Sequence, residues 1–296
     1  MKKKETQYVC SECGDSFGKW YGQCPTCKEW NTFKEFREAK LQSKGKELKT
    51  GTDLSSVDLG NDSLKNPNKI PSGIAEVDRV LENGFFPGSV LLFGGHPGIG
   101  KSTLAMQLFL QQKSALYFSG EESVHQVSNR ASRLDGGGLV ENIFSTNSLE
   151  DISATIQNQK PTFAVIDSIQ MIGTENASMG NVQSIRENAE ILVKVSKSVG
   201  TILLIIGHVT KNDEIAGPKV LEHLVDVVLY LEGERETGLR ILRTSKNRFG
   251  STMEVGIFTM DTVGLTAVHE PSEFFLSERP EHASGACITV IREGSR

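Results

Sequence analysis

The sequence predicts an α/β protein: a parallel sheet flanked by helices, extended by antiparallel strands and preceded by a small cysteine-bound metal module. Three observations carry this prediction. From Gly73 onward, short and almost wholly apolar runs alternate with helix-length amphipathic stretches, the pattern of parallel strands covered on both faces. Beyond residue 225 the helix-length gaps vanish and strand follows turn follows strand, as antiparallel hairpins require. Four of the 5 cysteines fall before residue 28.

Those four, Cys10, Cys13, Cys24 and Cys27, form two CxxC pairs. Two such knuckles supply the tetrahedral four-thiolate cage that Zn2+ prefers, with all four positions filled by protein, so the expected metal is structural. A redox CxxC is the alternative, but redox motifs rarely come doubled in so small a segment. Gly14 and Gly22 are expected to give the knuckles their backbone freedom. The zinc finger is assigned to residues 1–34. After it the chain turns polar, with scarcely any apolar clustering as far as SSVDLGNDSLKNPNKIPSG, so residues 35–70 read as a linker.

The strand-like runs that follow are VLLFGG (90–95), ALYFSG (115–120), NIFSTN (142–147), FAVIDSI (163–169) and TILLIIGHV (201–209). Helix-like segments begin at Ser102, Ser123, Ser148 and about Asn181. Ser148 with Asp151 has the spacing of a capping box. The hairpin half comprises VDVVLYLEG, GLRILRTS, MEVGIFTMD and GLTAVH.

The strongest chemical signal lies between the first strand and the first long helix. Gly95, His96, Pro97, Gly98, Ile99, Gly100, Lys101 and Ser102 match G-x-x-x-x-G-K-[ST], with Thr103 behind them. Backbone N–H groups of such a loop, together with the positive end of the following helix, form a nest for phosphates. Lys101 is placed to reach the β and γ phosphates of a nucleoside triphosphate, and the Ser102 hydroxyl to hold Mg2+. Asp167 ends the run FAVID on an expected neighbouring strand, where a carboxylate steadies the magnesium through water; a solvated strand end is its alternative. Glu121 and Glu122 follow ALYFSG, read as a strand beside the phosphate-loop strand. A carboxylate leaving that edge can orient an attacking water, and Glu121, nearer the strand end, is preferred. Capping of the next helix is the alternative for both.

The chain has 296 residues and a formal net charge of -5, with 38% hydrophobic residues. No stretch approaches the roughly 18 apolar residues of a membrane span, and MKKKETQYVC lacks the apolar run of a signal peptide. A reducing, cytoplasmic setting and no membrane partner are expected. Residues 1–49 carry 11 Lys+Arg against 7 Asp+Glu, and the remainder 21 against 30. Contact with nucleic acid must therefore be local or built at subunit junctions, because the overall field repels phosphate.

Taken in order, the four-cysteine finger with WYGQCPTCKEWNT, then GGHPGIGKSTL, YFSGEES, VIDSIQ, GHVTK, IAGPKVLEHLVD and KNRFG resemble the bacterial RadA (Sms) family of DNA repair and recombination ATPases. The resemblance runs from Cys10 to about Pro280. It implies a RecA-like ATPase domain over residues 71–270, with SGACITVIREGSR in 271–296 as the start of a truncated Lon-protease-like domain. It further implies a homo-oligomer forming a hexameric ring, stimulated by single-stranded or branched DNA, that drives branch migration beside the RecA recombinase. By position, Glu121 resembles the catalytic glutamate of such folds, and His208 stands where they place a γ-phosphate sensor. Stretches at about 171–182 and 210–219, the second with Lys211 and Lys219, correspond to DNA-gripping loops. Asp213 and Glu214 in the second depart from the family and oppose a phosphate contact.

KNRFG supplies Lys246 and Arg248, which alternate on a strand end and so point the same way. The resemblance implies that they face the neighbouring subunit's nucleotide and stabilise charge developing on its γ-phosphate. Phe249 and Gly250 are expected to anchor and turn the segment. Direct DNA contact and a solvated turn are the alternatives for the two cations. A nucleotide-switched zinc-finger adaptor that recruits a repair partner is the alternative to a motor.

Overall fold

Alternation within each apolar run decides which layer of helices a side chain meets. In the computed structural model, which describes residues 7–10, 16–36, 68–134, 141–174, 182–207, 219–233, 238–268 and 270, the chain divides into two compact units, Met1–Asp58 and Leu59–Arg296.

The first unit pairs β1 (Gln7–Cys10) antiparallel with both β2 (Ser16–Phe17) and β3 (Phe33–Phe36). Its core is small: Cys10, Cys24 and Phe33, with Tyr8, Phe17 and Cys27 packed against them.

In the second unit, the parallel strands are β4 (Val90–Gly95), β5 (Ala115–Ser119), β6 (Ile143–Ser145), β7 (Phe163–Asp167), β8 (Ile202–Ile206) and β9 (Val227–Glu232). β10 (Leu239–Asn247), β11 (Val255–Asp261) and β12 (Gly264–Ala267) continue the sheet antiparallel from β9. The nine-stranded order is β12-β11-β10-β9-β4-β8-β7-β5-β6. The helices are α1 (Ala75–Val80), α2 (Lys101–Gln111), α3 (Val124–Leu134), α4 (Leu149–Gln159), α5 (Val182–Val199) and α6 (Lys219–Leu224).

Leu91 and Phe93 of β4, Phe163 and Val165 of β7 and Ile202 and Leu204 of β8 join one core with residues of α1, α2 and α3. Their alternates Val90, Leu92, Ala164, Ile166, Leu203 and Ile205 join a second core with α4, α5 and α6. Two dry faces on one sheet explain why these strands read as unbroken apolar runs. Of the expected capping box, half forms: Ser148 Oγ accepts from the Asp151 N–H at 3.1 Å, while the Ser148 N–H turns to Thr146 Oγ1 at 3.2 Å.

The strand order corrects two sequence expectations. β8 lies between β4 and the strand that ends at Asp167, and both β8 and β7 lie between β4 and the strand that precedes Glu121. Sequence neighbours need not be sheet neighbours when every connection is a crossover. Two short helices, α1 and α6, escape the sequence pattern, and Lys219, expected in a loop, opens α6. Lys69 and Ile70, expected in the linker, are bonded into the core: Lys69 Nζ donates to the Leu81 and Glu82 carbonyls, and Ile70 bridges Phe85.

One polar residue ties the amino edge of the sheet together. Asp226, 3% exposed, accepts from the buried Val90 N–H at 3.1 Å and from Lys197 Nζ and Arg248 Nη1 at 3.1 Å each. Both cations keep much of their surface in water, so the cost of Asp226→Ala falls mainly on the Val90 N–H left without an acceptor, about 2 kcal/mol. Thermal unfolding should show a drop of roughly 4–8 °C, on the scaling for domains of this size.

Candidate functional site

The carboxyl ends of the parallel strands share one edge, and there the chain leaves β4 through Gly95. A Cβ at Gly95 (φ 147°) would stand 2.5 Å from the Leu231 carbonyl oxygen, so only glycine lets the loop rise this close to β9. Gly98 and Gly100 also have positive φ, at 76° and 117°. Gly100 caps α2 without a side chain, and the first turn of α2 holds no acidic residue. Its leading N–H groups, unlike those of α4 under Ser148, are thus open to an anion.

Lys101 begins α2 with its side chain folded back, 4% exposed, donating to the carbonyls of Gly95 at 2.7 Å and His96 at 3.0 Å. Burial pushes its pKa below the usual lysine value, while the nearby Asp167 and Glu121 carboxylates pull it up again. These two carboxylates are therefore close enough to act on the loop lysine. They reach it despite strands about 10 and 14 Å from β4 at the usual spacing.

Each carboxylate is held. Tyr117, wholly buried, donates its phenol to Asp167 Oδ2 at 2.5 Å, and Arg130 Nη1 of α3 approaches the same oxygen at 3.9 Å. Glu121 Oε1 accepts from the buried Ser168 hydroxyl at 2.6 Å. Glu122 turns the other way, onto Arg130 Nη2, with its backbone N–H bound to Ser119 Oγ. The structure thus separates the two glutamates that adjacency in sequence leaves together: Glu121 faces the loop lysine and Glu122 faces α3. Asp167–Ser168 is a cis peptide.

A further cation braces the loop from β10. Arg240, 5% exposed, donates Nε to the Ile99 carbonyl at 2.9 Å and Nη1 to the Leu239 carbonyl at 2.7 Å. Tyr117, Arg130, Ser168 and Arg240 escape the sequence reading. For Arg240 a signal existed, since Arg240, Leu242 and Thr244 occupy the buried phase of the alternation in β10, where an arginine must find acceptors. His208 lies outside the described residues, as do 175–181 and 210–218 of the expected DNA loops.

Lys246 and Arg248 sit at the opposite edge. Asn247 pairs with Val227, and Val227 with Leu91, four residues before Gly95 on β4, about 13 Å along the strand. Lys246 Nζ donates to the Glu222 and Val225 carbonyls at 2.6 and 2.8 Å, closing the end of α6. Arg248 pairs with Asp226 and keeps its side chain 52% exposed. Both cations gather on the 222–226 turn. Phe249 stacks on Phe86 at 4.1 Å between ring centres, and a Cβ at Gly250 would collide with the Glu82 carboxylate.

In the first unit, Cys10, Cys24 and Cys27 bring their sulfurs within 4.8 Å of one another, and Cys10 Sγ lies 3.6 Å from Cys27 Sγ. A zinc tetrahedron with bonds of about 2.3 Å has edges of about 3.8 Å, so the thiols fit Zn2+. Cys13 lies outside the described residues. The left-handed positions of the second knuckle are Lys28 (φ 61°) and Asn31 (φ 59°), not Gly22; Gly22 instead packs beneath Trp30 and Trp20.

Two outcomes follow from these geometries. Tyr117 has its pKa raised well above 10.0, first by burial and then by Asp167. Above pH 10 the unfolded chain therefore releases a proton that the native chain keeps, and stability falls as pH rises toward the native pKa. Tyr117→Phe should flatten this alkaline loss by the slope of one proton in denaturant titrations from pH 9 to 11. For the metal module, a strong chelator should release zinc and unfold residues 8–35, whose core is too small to stand alone. The main thermal transition, that of the second unit, should stay in place.

Comparison with known proteins gives the site its context. A zinc-ribbon profile described as a rubredoxin metal binding domain matches residues 8–35, and a family of unknown function, DUF7125, matches residues 69–258. The chain is 44% identical to the DNA repair protein RadA of Listeria monocytogenes over 99% of its own length and 66% of the relative's. It is 43% identical to the RadA protein of Pseudomonas aeruginosa and 41% to that of Bacillus subtilis, over 100% of the chain and 67% of each relative. The chain thus spans about two thirds of the length of these relatives. Among solved structures, one described as an ATPase domain superposes with a TM-score of 0.59 at 15% identity, over 69% of this chain and 93% of that one, a likeness of fold. With a zinc ribbon in front of a RecA-like α/β core and this identity along its whole length, the chain belongs to the RadA family of DNA repair proteins.

Proposed function

We propose that this chain is an ATP hydrolase of DNA repair and homologous recombination that converts hydrolysis into movement along DNA. The observation that carries the reading is the convergence of Lys101, Asp167 and Glu121 on one sheet edge in front of the uncapped start of α2. In this reading the loop Gly95–Ser102 receives the phosphates of ATP, Lys101 turns from the Gly95 and His96 carbonyls to the β and γ oxygens, and Thr103 follows within the helix. Ser102 and Asp167 hold Mg2+, which supplies positive charge to the leaving phosphates. Glu121, exposed and fixed by Ser168, orients the attacking water and accepts its proton. Tyr117 keeps the Asp167 carboxylate in register.

KNRFG completes the site from another subunit. Arg248 lies at the far edge from its own phosphate loop with an exposed guanidinium, which suits a contact to a neighbour's γ-phosphate in a homo-oligomer, here a hexameric ring. Lys246, bonded to the end of α6, tethers this segment to the helix that follows residues 210–218, one of the two stretches proposed to grip single-stranded or branched DNA. Branch migration beside the RecA recombinase, in the cytoplasm, is the biological task this assembly fits. His208 is carried as the γ-phosphate sensor by resemblance. The domain division proposed is a finger that ends with β3 at Phe36, a linker that ends before Lys69, the ATPase from there to 270 and the start of a Lon-protease-like segment over 271–296.

Steady-state ATPase of wild type, Lys101→Ala, Arg248→Ala and an equal mixture of the two variants, each with and without single-stranded DNA, tests the reading. Wild-type turnover should rise with DNA, each variant alone should fall at least tenfold, in the range of lost charge-stabilising groups, and the mixture should recover a clear fraction. Turnover that ignores DNA would favour the nucleotide-switched adaptor. An unrescued mixture would place Arg248 on DNA or in a purely internal role.

A further inference from the structure

The chain's 2 tryptophans, Trp20 and Trp30, both lie in the zinc ribbon, and both are exposed, at 54% and 67%. Their neighbour Tyr21 is 42% exposed but has work inside the ribbon, meeting Phe17 edge-on at 5.7 Å and Phe33 at 6.2 Å. Neither indole takes part in a ring contact with another aromatic among the described residues. They converge on one spot: a Cβ at Gly22 would meet Trp30 at 3.6 Å and Trp20 at 3.8 and 3.9 Å. A glycine floor therefore lets both ring systems reach over the same backbone position.

The backbone beneath is fixed. Gln23 bridges Trp30, the Asn31 N–H donates to the Gly22 carbonyl at 2.8 Å, the Cys24 N–H to Glu29 at 2.9 Å, and Gln23 Nε2 to the Lys28 carbonyl at 2.8 Å. Tryptophan placed on a rigid turn loses little freedom when it binds, and a large exposed aromatic pair marks a contact surface. Charge narrows the partner. The first 49 residues carry 11 basic against 7 acidic side chains while the rest of the chain carries 21 against 30. Lys19 and Lys28, both exposed, lie close to the tryptophans in sequence, with Glu29 the acidic neighbour. The basic excess lies in the segments that flank the ribbon, 8 basic against 3 acidic in residues 1–7 and 36–49, while residues 8–35 carry 3 against 4. Flat aromatic faces between basic segments fit a polyanion with exposed planar rings, which is single-stranded DNA.

We propose that Trp20 and Trp30 form a stacking platform for the bases of single-stranded DNA, a contact separate from the loops of the ATPase unit. It rests on the reading that the chain works on DNA, but its test does not depend on ATP turnover. Because the ribbon holds both tryptophans, tryptophan emission of the full zinc-loaded chain, excited beyond the absorption of its 4 tyrosines, reports this surface. Titration with a short oligo(dT) should quench it, and an abasic oligonucleotide of equal length, with the same phosphates and no bases, should not. Trp20→Ala and Trp30→Ala should each weaken binding of a dye-labelled oligo(dT) about tenfold by anisotropy, the loss of one stacked base, whereas Trp20→Phe should keep most of it. Emission unchanged by oligo(dT), or quenched equally by the abasic strand, overturns the proposal, as does unaltered binding in both zinc-loaded alanine variants. Should an alanine variant lose its zinc, the wild-type comparison of oligo(dT) with the abasic strand decides alone. Quenching in a chain whose ATPase ignores DNA would sink the motor and leave the platform standing.

Discussion

Burying the ammonium of Lys101 at the carboxyl edge of the sheet takes a charge out of water at a cost that only nearby acceptors and opposite charges can offset, and much of the structure supplies them. Two carbonyls of the loop accept hydrogen bonds from it. Asp167 and Glu121 supply the field that opposes the desolvation. Those carboxylates need partners in turn, and Tyr117, Ser168 and Arg130 provide them from β5, the turn after β7 and α3. Lys101 and Arg130 face three carboxylates, Asp167, Glu121 and Glu122, while Arg240 is bonded to a loop carbonyl. The carboxylates gathered at this edge suit a divalent cation at the point where a phosphate would meet the α2 terminus.

The same sheet carries the link between its two edges. β9 starts next to Asp226, which holds Arg248, and ends with the Leu231 carbonyl against Gly95. β10 runs back beside it with Arg240 on the Ile99 carbonyl at one end and Lys246 on α6 at the other. Paired strands resist stretching, and although the β10–β9 register shifts between Thr244 and Lys246, Lys246 and Asn247 pair with Val228 and Val227 of the same strand whose far end lies against the phosphate loop. In an oligomer of the kind proposed, a shift of Arg248 by a neighbour's nucleotide would be carried along this pair to the chain's own loop. Asp226 suits that role because its buried carboxylate keeps the bond to Val90 whether or not Arg248 stays.

The chemistry legible in the sequence is that of local pattern. The phosphate loop, the apolar strands and the two cysteine knuckles each declare themselves within a dozen residues, because a turn, a period of two or a ligand spacing is set by the nearby chain. What stays hidden depends on the distant chain. The insertion of β8 and β7 between β4 and β5 is a property of the whole sheet, and no feature of ALYFSG or FAVID encodes it. Tyr117 reads as one more strand aromatic, since its hydroxyl partner lies 50 residues on. Glu121 and Glu122 have the same chemistry and opposite surroundings, which a strand end decides only once α3 is in place with Arg130. For Lys246 the alternation rule gives a direction but not a destination; α6, which no sequence pattern announces, supplies the carbonyls at its end.

The placement of charge bears on how such a chain could hold a polyanion at all. In the second unit the cations described above are committed internally: Lys101 and Arg240 to loop carbonyls, Arg130 to carboxylates, Lys246 to α6, and Lys197 with Arg248 to Asp226. A side chain already paired adds little to a long-range field, and a net charge of -5 works against one. Short-range contacts that operate after encounter hold DNA without relying on such a field. Flat rings stacking on bases are of that kind, since their energy does not depend on releasing counterions. The ribbon, held rigid, carrying both indoles on its surface and flanked in sequence by basic segments, is where the chain's composition makes such a contact possible.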